Sequence, residues 1–161
     1  LERAFDSEGH FRRFNEQLPS KLAPRPGGPR DYSDDTPITN SGYAYCIRTG
    51  ELLRERGISI DFIYSSPAYR CMQTAQGILE GLQAKELRIR IEPGLFQWMR
   101  WCKHGLPTFL NPSEYEEAGF PVDSSYEGFD DAKEFDEKET LLDYYTRSFA
   151  IVQRILKLHP K

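Results

Sequence analysis

The fold is decided by residues 62–75, whose sequence is FIYSSPAYRCMQTA. An apolar, β-favouring run from Asp61 to Ser65 stops at Ser66-Pro67, and a helical pattern starts directly after it. Proline suits the first turn of a helix, because its missing N–H would have had no partner there. The stretch therefore predicts a strand followed at once by a helix, with Arg70 in the first turn. The apolar face of that helix recurs at three- and four-residue steps, at Met72, Ala75, Leu79 and Leu82.

The position of Arg70 favours binding of an anion. Unpaired backbone N–H groups and the positive end of the helix dipole attract anions, and a guanidinium can hold two phosphate oxygens at once. We therefore interpret the stretch as a pocket for an oxyanion, most simply a phosphoryl group. The alternative, which the pattern alone favours equally, is an arginine on a surface helix without a ligand.

Composition excludes several classes of partner. A net charge of −4 argues against binding to nucleic acid or to an acidic membrane surface, both of which require a basic stripe. No apolar run approaches membrane-spanning length, and residues 1–4 do not resemble a signal peptide. The cysteines lack CxxC spacing, so we expect reduced thiols of a cytoplasmic protein, without a disulfide framework or a zinc site. They are Cys46, Cys71 and Cys102.

The length predicts one domain with a substantial core. Residues 1–38 are rich in proline and glycine and carry little periodic apolar pattern, so we expect a long loop or lid over an α/β core formed by residues 39–161. One charged cluster in this loop could rim a site, although solvated surface charges are the favoured interpretation. It contains Arg25, Arg30, Asp31 and Tyr32.

Further elements follow from periodicity and capping signals. They are a helix from Thr39 or Asn40 to about Arg56, a strand Leu87–Ile91, a helix from Pro112 to Ala118 and a helix from about Glu139 to His159. We expect the first of these helices to bury Tyr43, Cys46, Ile47, Gly50 and Leu53, and the last to bury Leu142, Tyr145, Phe149, Val152 and Leu156.

The segments between these elements are less regular. The aromatic segment 95–109 is either core or a recognition surface, with core the better default, and the acidic stretch 120–137 is expected to be a loop. Only two strands are predicted, although several amphipathic helices need a surface to pack against. The pattern is that of an α/β domain seen without its first and last core strands.

Two sets of motifs identify a family. The pattern SSPxxRxxQTA at residues 65–75 resembles the second phosphate-binding motif of the histidine phosphatase (phosphoglycerate-mutase-like) superfamily. Gly27–Tyr32 with Pro37–Thr39, and EPGLFQW at 92–98, are similar to one branch. That branch contains the phosphatase domains of UBA- and SH3-containing suppressors of T-cell receptor signalling and the ecdysteroid-phosphate phosphatases. The resemblance implies a three-layer sandwich, with helices on both faces of a mainly parallel sheet.

The resemblance also implies a chemistry. A histidine in an Arg-His-Gly motif attacks the phosphoryl group, arginines and a second histidine neutralise its oxygens, and a carboxylic acid protonates the leaving group; no metal or other cofactor is required. Carried over, Arg70 would clamp phosphate, with Ser66 of the same motif contributing to phosphate binding. Arg-His-Gly does not occur in the 161 residues. The family pattern would place it just before Leu1, and the second histidine just after Lys161.

The position of the acid also departs from the branch. Where its members carry glutamate this chain has Gln97, whose amide can hydrogen-bond a leaving oxygen but cannot protonate it. Glu92 could substitute as the acid, although a strand-ending residue that faces water is the simpler expectation. If the motif register is wrong, Gln97 is an ordinary turn residue. His104, in a Lys-His-Gly sequence, lacks the preceding apolar strand and arginine, so we expect no catalytic role for it, nor for His10 or His159.

Three interpretations follow. The first is a phosphatase-family domain related to enzymes that act on phosphotyrosyl proteins or small phosphate esters, with this chain alone inactive. The second is a non-catalytic module that binds phosphorylated ligands or forms a dimer. The third treats Arg70 as a relic without a ligand. A homodimer is implied by the family, and an exposed strand edge would give it a physical reason.

Overall fold

The structure, a computed structural model, describes residues 2–131 and 135–160. Its helices are α1 (Asp31–Asp34), α2 (Asn40–Glu55), α3 (Tyr69–Leu82), α4 (Pro112–Glu117) and α5 (Leu141–Leu158), and its strands are β1 (Ile63–Ser65) and β2 (Ile89–Ile91). Part of the predicted acidic loop, residues 132–134, lies outside the described residues. Across the described ranges, every helix is too short or too polar to cross a membrane.

The two strands form a parallel pair, with Ile63 opposite Ile89 and Ser65 opposite Ile91. Each strand is two residues shorter at its start than the sequence predicts. A single bridge joins Ile89 to Val122 at the other edge of β2. Because the strands are parallel, both end at the same edge of the sheet, and the loops that leave this edge lead to α3 and to residues 92–101.

Helix α3 begins later than predicted. Pro67 lies before the helix and Ala68 is the N-cap, with an extended backbone at φ −60° and ψ 133°. The Pro67 carbonyl accepts a hydrogen bond of 2.7 Å from the Tyr115 hydroxyl, which holds this residue in the loop. The prediction that Pro67 occupies the first helical turn is therefore wrong. Arg70, the second residue of α3, does lie in that turn.

Helices α2 and α3 pack with their backbones in contact. A Cβ atom added to Gly81 would overlap the Ile47 carbonyl oxygen, and one added to Gly50 would overlap the Ile78 carbonyl oxygen. Gly77 faces Cys46, whereas Gly81, one turn later in α3, faces Ile47, which also comes later in α2. The two helices therefore run in the same direction. The close approach is possible because neither helix carries a side chain at the crossing. Of the predicted α2 stripe, Gly50 alone is fully buried, and Tyr43, Cys46, Ile47 and Leu53 are half-buried.

The proline-rich N-terminal segment contributes directly to the core. Tyr32 and Arg25 are 2% and 8% exposed, so the expectation of a solvated cluster is wrong for both, whereas Arg30 is exposed. The Arg25 guanidinium carbon lies 4.7 Å from the centre of the Tyr32 ring. The main core surrounds α3 and includes Ala23, Tyr32, Tyr69, Met72, Ala75, Leu79, Ile89, Leu110, Tyr115, Phe120 and Val122.

The aromatic segment is partly core. Phe96 and Met99 are buried against Ala68 in a second apolar cluster, and the rings of Phe96 and Phe109 lie 5.0 Å apart. Trp101 is 68% exposed. The preference for core therefore holds for Phe96 but not for Trp101.

Helix α5 presents its apolar stripe to solvent. Leu142, Tyr145, Phe149, Val152 and Leu156 are between 44% and 73% exposed, so the prediction that they are buried is wrong for this structure. The helix instead docks through Ile151, which is 1% exposed and packs against Gly94. The periodic pattern identifies the apolar side correctly, but among the described residues no element covers it.

Candidate functional site

Arg70 and Gln97 meet at the edge of the sheet where both strands end. One terminal nitrogen of Arg70 donates a hydrogen bond of 2.6 Å to the Gln97 side-chain oxygen. The other lies 3.7 Å from a carboxylate oxygen of Asp35, and 31% of the Arg70 side chain remains exposed. Two positions that the motifs selected, 27 residues apart in the chain, are thus in direct contact.

Asp35 is a site residue that the sequence did not indicate. Its side chain is fully buried and receives a hydrogen bond of 2.7 Å from Arg25 and one of 2.8 Å from the backbone N–H of Tyr69. Burial raises the pKa of Asp35, and the charge of Arg25 opposes that shift. Since Ala68 provides no side-chain cap, Asp35 supplies it from the N-terminal segment. One of the N–H groups expected to face an anion is therefore already bound.

Arg25 is the buried member of a charged group that also contains Asp35 and Arg70. Its side chain is fully buried, and its second terminal nitrogen donates 2.9 Å to the Asp31 carbonyl. Its Nε atom has no hydrogen-bond partner among the described residues. Two arginines therefore flank one carboxylate, and their charge favours an anion at the exposed member, Arg70.

Ser66 shapes the turn between β1 and α3. It is 7% exposed, its hydroxyl accepts a hydrogen bond of 3.4 Å from the Ala68 N–H, and its carbonyl accepts one of 2.9 Å from the Ser65 hydroxyl. These bonds fix the backbone just before Arg70. A contact between Ser66 and phosphate stays a prediction.

Glu92 holds a neighbouring loop together. It is fully buried, so the expectation that it faces water is wrong. One carboxylate oxygen accepts a hydrogen bond of 2.9 Å from the Gly94 N–H, and the other accepts bonds from the Tyr126 hydroxyl at 2.6 Å and the Phe129 N–H at 2.9 Å. Three donors already occupy its carboxylate oxygens, so Glu92 acts as a structural acceptor within this loop.

The histidines have contacts of other kinds. His10 lies 3.5 Å from Asp6 and 3.4 Å from Glu8 at the surface. His159 stacks on Phe62, with ring centres 3.6 Å apart, and shares a hydrogen bond of 2.9 Å with the Tyr64 hydroxyl. His104 is exposed in the turn after Cys102. That none of them is the nucleophile stays a prediction.

The arrangement can bind an oxyanion through charge and hydrogen bonding. Arg70 offers guanidinium N–H groups beside the positive end of α3, and Gln97 offers an amide that can hold an oxygen. Position 97 itself carries an amide and not a carboxylic acid. The described groups can therefore hold an oxyanion beside Arg70 and Gln97.

Comparison with known sequences is consistent with this geometry. A profile of the histidine phosphatase superfamily (branch 1) matches residues 28–161. Human ubiquitin-associated and SH3 domain-containing protein B is 40% identical over 158 residues, covering 97% of this chain and 24% of that protein. Ecdysteroid-phosphate phosphatase of Drosophila melanogaster is 36% identical over 156 residues, covering 95% and 21%. The chain thus spans about a quarter of the length of these relatives.

A solved structure extends the likeness to the fold. The ecdysone phosphate phosphatase of Bombyx mori, in complex with tungstate, superposes with a TM-score of 0.88 and 35% identity, covering 97% of this chain and 60% of that one. The similarity confirms the predicted phosphoglycerate-mutase-like α/β fold. With most of its length matched by the family profile, the chain belongs to the histidine phosphatase superfamily.

Proposed function

We propose that this chain is a phosphatase-family domain in which Arg70 binds the phosphoryl group of a phosphate ester. The observation that carries the proposal is the contact between Arg70 and Gln97 at the start of α3. By the family resemblance, these two positions correspond to the phosphate clamp and to the leaving-group acid. A related structure named as a phosphatase, and solved with the oxyanion tungstate, supports a phosphate ester as the ligand class.

The chain by itself is expected to bind without turnover. The family reaction begins with attack by a histidine in an Arg-His-Gly motif, and the 161 residues do not contain that motif. Loss of general acid catalysis at Gln97 adds a penalty of about 10²–10⁴ in rate. We therefore expect this chain to bind a phosphate ester without hydrolysing it, and binding and catalysis are tested separately.

Binding is tested by titrating the chain with tungstate in a calorimeter. We expect Arg70→Ala to abolish measurable binding and Arg70→Lys to weaken it, because lysine keeps the charge but loses the two-pronged geometry. Arg56→Ala is the matched control, since Arg56 follows α2 at the end of the helix pair opposite to Arg70. Unchanged affinity in Arg70→Ala would refute the pocket.

Catalysis is tested with p-nitrophenyl phosphate. We expect no release of nitrophenolate above the buffer rate, either from the native chain or from His104→Ala. Turnover by the native chain that disappears in His104→Ala would overturn the assignment and make His104 the nucleophile.

A second candidate function is a non-catalytic module that recognises phosphorylated ligands. The pairing of the Arg70 guanidinium with an amide at position 97 favours it, because an arginine and an amide can hold a phosphoryl group but cannot protonate a leaving group. Phosphotyrosyl peptides, their unphosphorylated forms and a small aryl phosphate should be compared in one binding assay. Preference for the phosphopeptide over the small ester would favour the module.

The cellular location and the partners of the protein are also proposals. A cytoplasmic location is supported by the three cysteines, none of which forms a disulfide bond with another described residue. The net charge of −4 speaks against nucleic acid as a partner.

A homodimer is supported by the short parallel sheet, because β1 pairs with β2 along one edge only among the described residues. Sedimentation over a range of concentrations tests the oligomeric state.

A further inference from the structure

The loop that carries Gln97 has little secondary structure of its own. It consists of two short 3-10 turns, Pro93–Leu95 and Met99–Trp101, and Gln97 lies between them. Neither helix nor sheet hydrogen bonds fix the backbone at this position. The Gln97 amide nitrogen donates a hydrogen bond of 3.6 Å to Cys102 Sγ, and the backbone of the loop is held by contacts with another part of the chain.

Arg147 of α5 supplies these contacts through its whole guanidinium. One terminal nitrogen donates to the carbonyls of Gly94 at 2.8 Å and Phe96 at 3.0 Å, and the other donates to the Gln97 carbonyl at 3.5 Å. The remaining two N–H groups bind both carboxylate oxygens of Glu139, at 2.8 and 3.0 Å. All five donors of the arginine are used, three of them on the loop.

Glu139 holds the other side of the same loop. Its carboxylate accepts a hydrogen bond of 3.2 Å from the Met99 N–H, and its backbone carbonyl accepts one of 2.8 Å from the Trp98 indole. The side chains of Arg147 and Glu139 are only 12% and 8% exposed, so water competes weakly for these bonds. Together the two residues, which we call the Arg147–Glu139 clamp, bind the backbone on both sides of Gln97.

We propose that Arg147 is a positioning residue for the oxyanion site: by fixing the 94–99 loop it sets where the Gln97 amide lies, and so how the Arg70 guanidinium is oriented. The proposal rests on the proposed function of Arg70. Its physical basis is a continuous path of short contacts, from α5 through three loop carbonyls to Gln97 and across 2.6 Å to Arg70. Arg147 acts through Gln97 and need not touch the ligand.

The test is a double-mutant cycle read out by tungstate binding. Arg147→Lys keeps the charge but has three donors in place of five, so it cannot span the loop and Glu139 together. We expect it to weaken tungstate binding about tenfold, which lies within the range measured for coupled neighbours. In the Gln97→Ala background the same change should alter affinity by less than about twofold, because the group that Arg147 positions is gone.

A matched control comes from the same helix. Arg154 forms an ion pair of 3.4 Å with Asp130 and is about half exposed, so Arg154→Lys should leave tungstate affinity unchanged. If Arg147→Lys does not fold, as judged by circular dichroism, Trp98→Phe replaces it. That variant removes the indole bond to Glu139 while keeping an aromatic ring at position 98, and it should weaken binding less strongly but with the same dependence on Gln97.

The outcomes separate the two proposals. Equal weakening by Arg147→Lys with and without the Gln97 amide would show a general structural role and overturn the positioning inference. No weakening in either background would overturn it too. Unchanged binding in Arg70→Ala would instead refute the proposed function, whatever the cycle gives.

Discussion

At the scale of single residues, the site depends on a carboxylate that several groups share. Asp35 binds buried Arg25, caps α3 at Tyr69 and lies next to Arg70. Such a group is stabilising only while its partners are present, because each buried charge has lost its hydration. The carboxylate therefore ties the N-terminal segment to the start of α3 and limits how far Arg70 can move.

Asp35→Asn should destabilise the fold strongly. The amide can still accept from the Tyr69 N–H, but the charge of Arg25 is left buried without an opposite charge. We expect the free energy of unfolding to fall by about 3–5 kcal/mol, measured by urea denaturation. Asp61→Asn, at an exposed position before β1, is the control and should change it by less than about 0.5 kcal/mol. Equal stability of the two variants would contradict the shared role of Asp35.

Gln97→Glu tests the other partner of Arg70. A carboxylate at this position would form an ion pair with Arg70 across the present 2.6 Å contact and would compete with an incoming anion. We expect tungstate affinity at pH 8 to fall about tenfold, which corresponds to roughly 1.4 kcal/mol, and no phosphatase activity to appear. Tighter binding of tungstate, or activity, would show that position 97 is arranged differently.

At the scale of elements, the glycines at the α2–α3 crossing set the distance between the two helices. Gly81 and Gly50 let one backbone rest on the other, so the pair behaves as one rigid unit beneath Arg70. The N-cap of α2 is regular, with the Thr39 hydroxyl accepting from Gly42 at 3.0 Å. Helix packing, together with the cap that Asp35 supplies to α3, therefore sets the direction in which α3 presents its first turn.

Gly81→Ala should separate the helices. The new Cβ would overlap the Ile47 carbonyl, a backbone atom that cannot rotate away. We expect a loss of at least about 2 kcal/mol in the free energy of unfolding, measured by chemical denaturation. Gly42→Ala in α2 meets only side-chain atoms, the nearest being the Thr39 hydroxyl at 3.2 Å. It should stay within about 1 kcal/mol of the native chain, and similar losses in both variants would contradict the account.

The sequence predicted the local parts of the molecule well. Strand, turn and helix around Arg70 follow from residues close in the chain, and Gln97 was found through a motif. The roles of Asp35 and Arg147 could not be predicted, because each depends on a contact with a residue far along the chain. Asp35 contacts Arg70, 35 residues away, and Arg147 contacts Gln97, 50 residues away. The spacing in α5 showed which side is apolar but could not show what covers it. The sequence also does not indicate that Arg25 is buried, because its partner Asp35 lies ten residues further along in a segment without a periodic pattern.

At the scale of the whole molecule, the most unusual feature is the exposed apolar side of α5. Five large apolar side chains form a stripe along it, while the opposite side docks through Ile151. Soluble proteins rarely leave so continuous an apolar surface uncovered. The stripe adds little to the stability of the described fold, whereas Ile151 and the Arg147–Glu139 clamp attach the helix to it.

Substitutions on the two sides of α5 should therefore differ. Phe149→Lys, at a position 67% exposed, should leave the melting temperature nearly unchanged and reduce binding of the dye ANS. Ile151→Ala, at a position 1% exposed, should lower the free energy of unfolding by about 2–5 kcal/mol. A marked loss of stability in Phe149→Lys would show that the stripe is covered in solution.

The central claim is that Arg70 holds a phosphoryl oxygen at the edge of the sheet, and a crystal structure of the chain with tungstate tests it most directly. Tungsten scatters strongly, so its position can be assigned without ambiguity. We predict a tungstate with an oxygen at about 3 Å from the Arg70 guanidinium and beside the Gln97 amide. Tungstate bound elsewhere, with Arg70 still paired only to Gln97 and Asp35, would contradict the account.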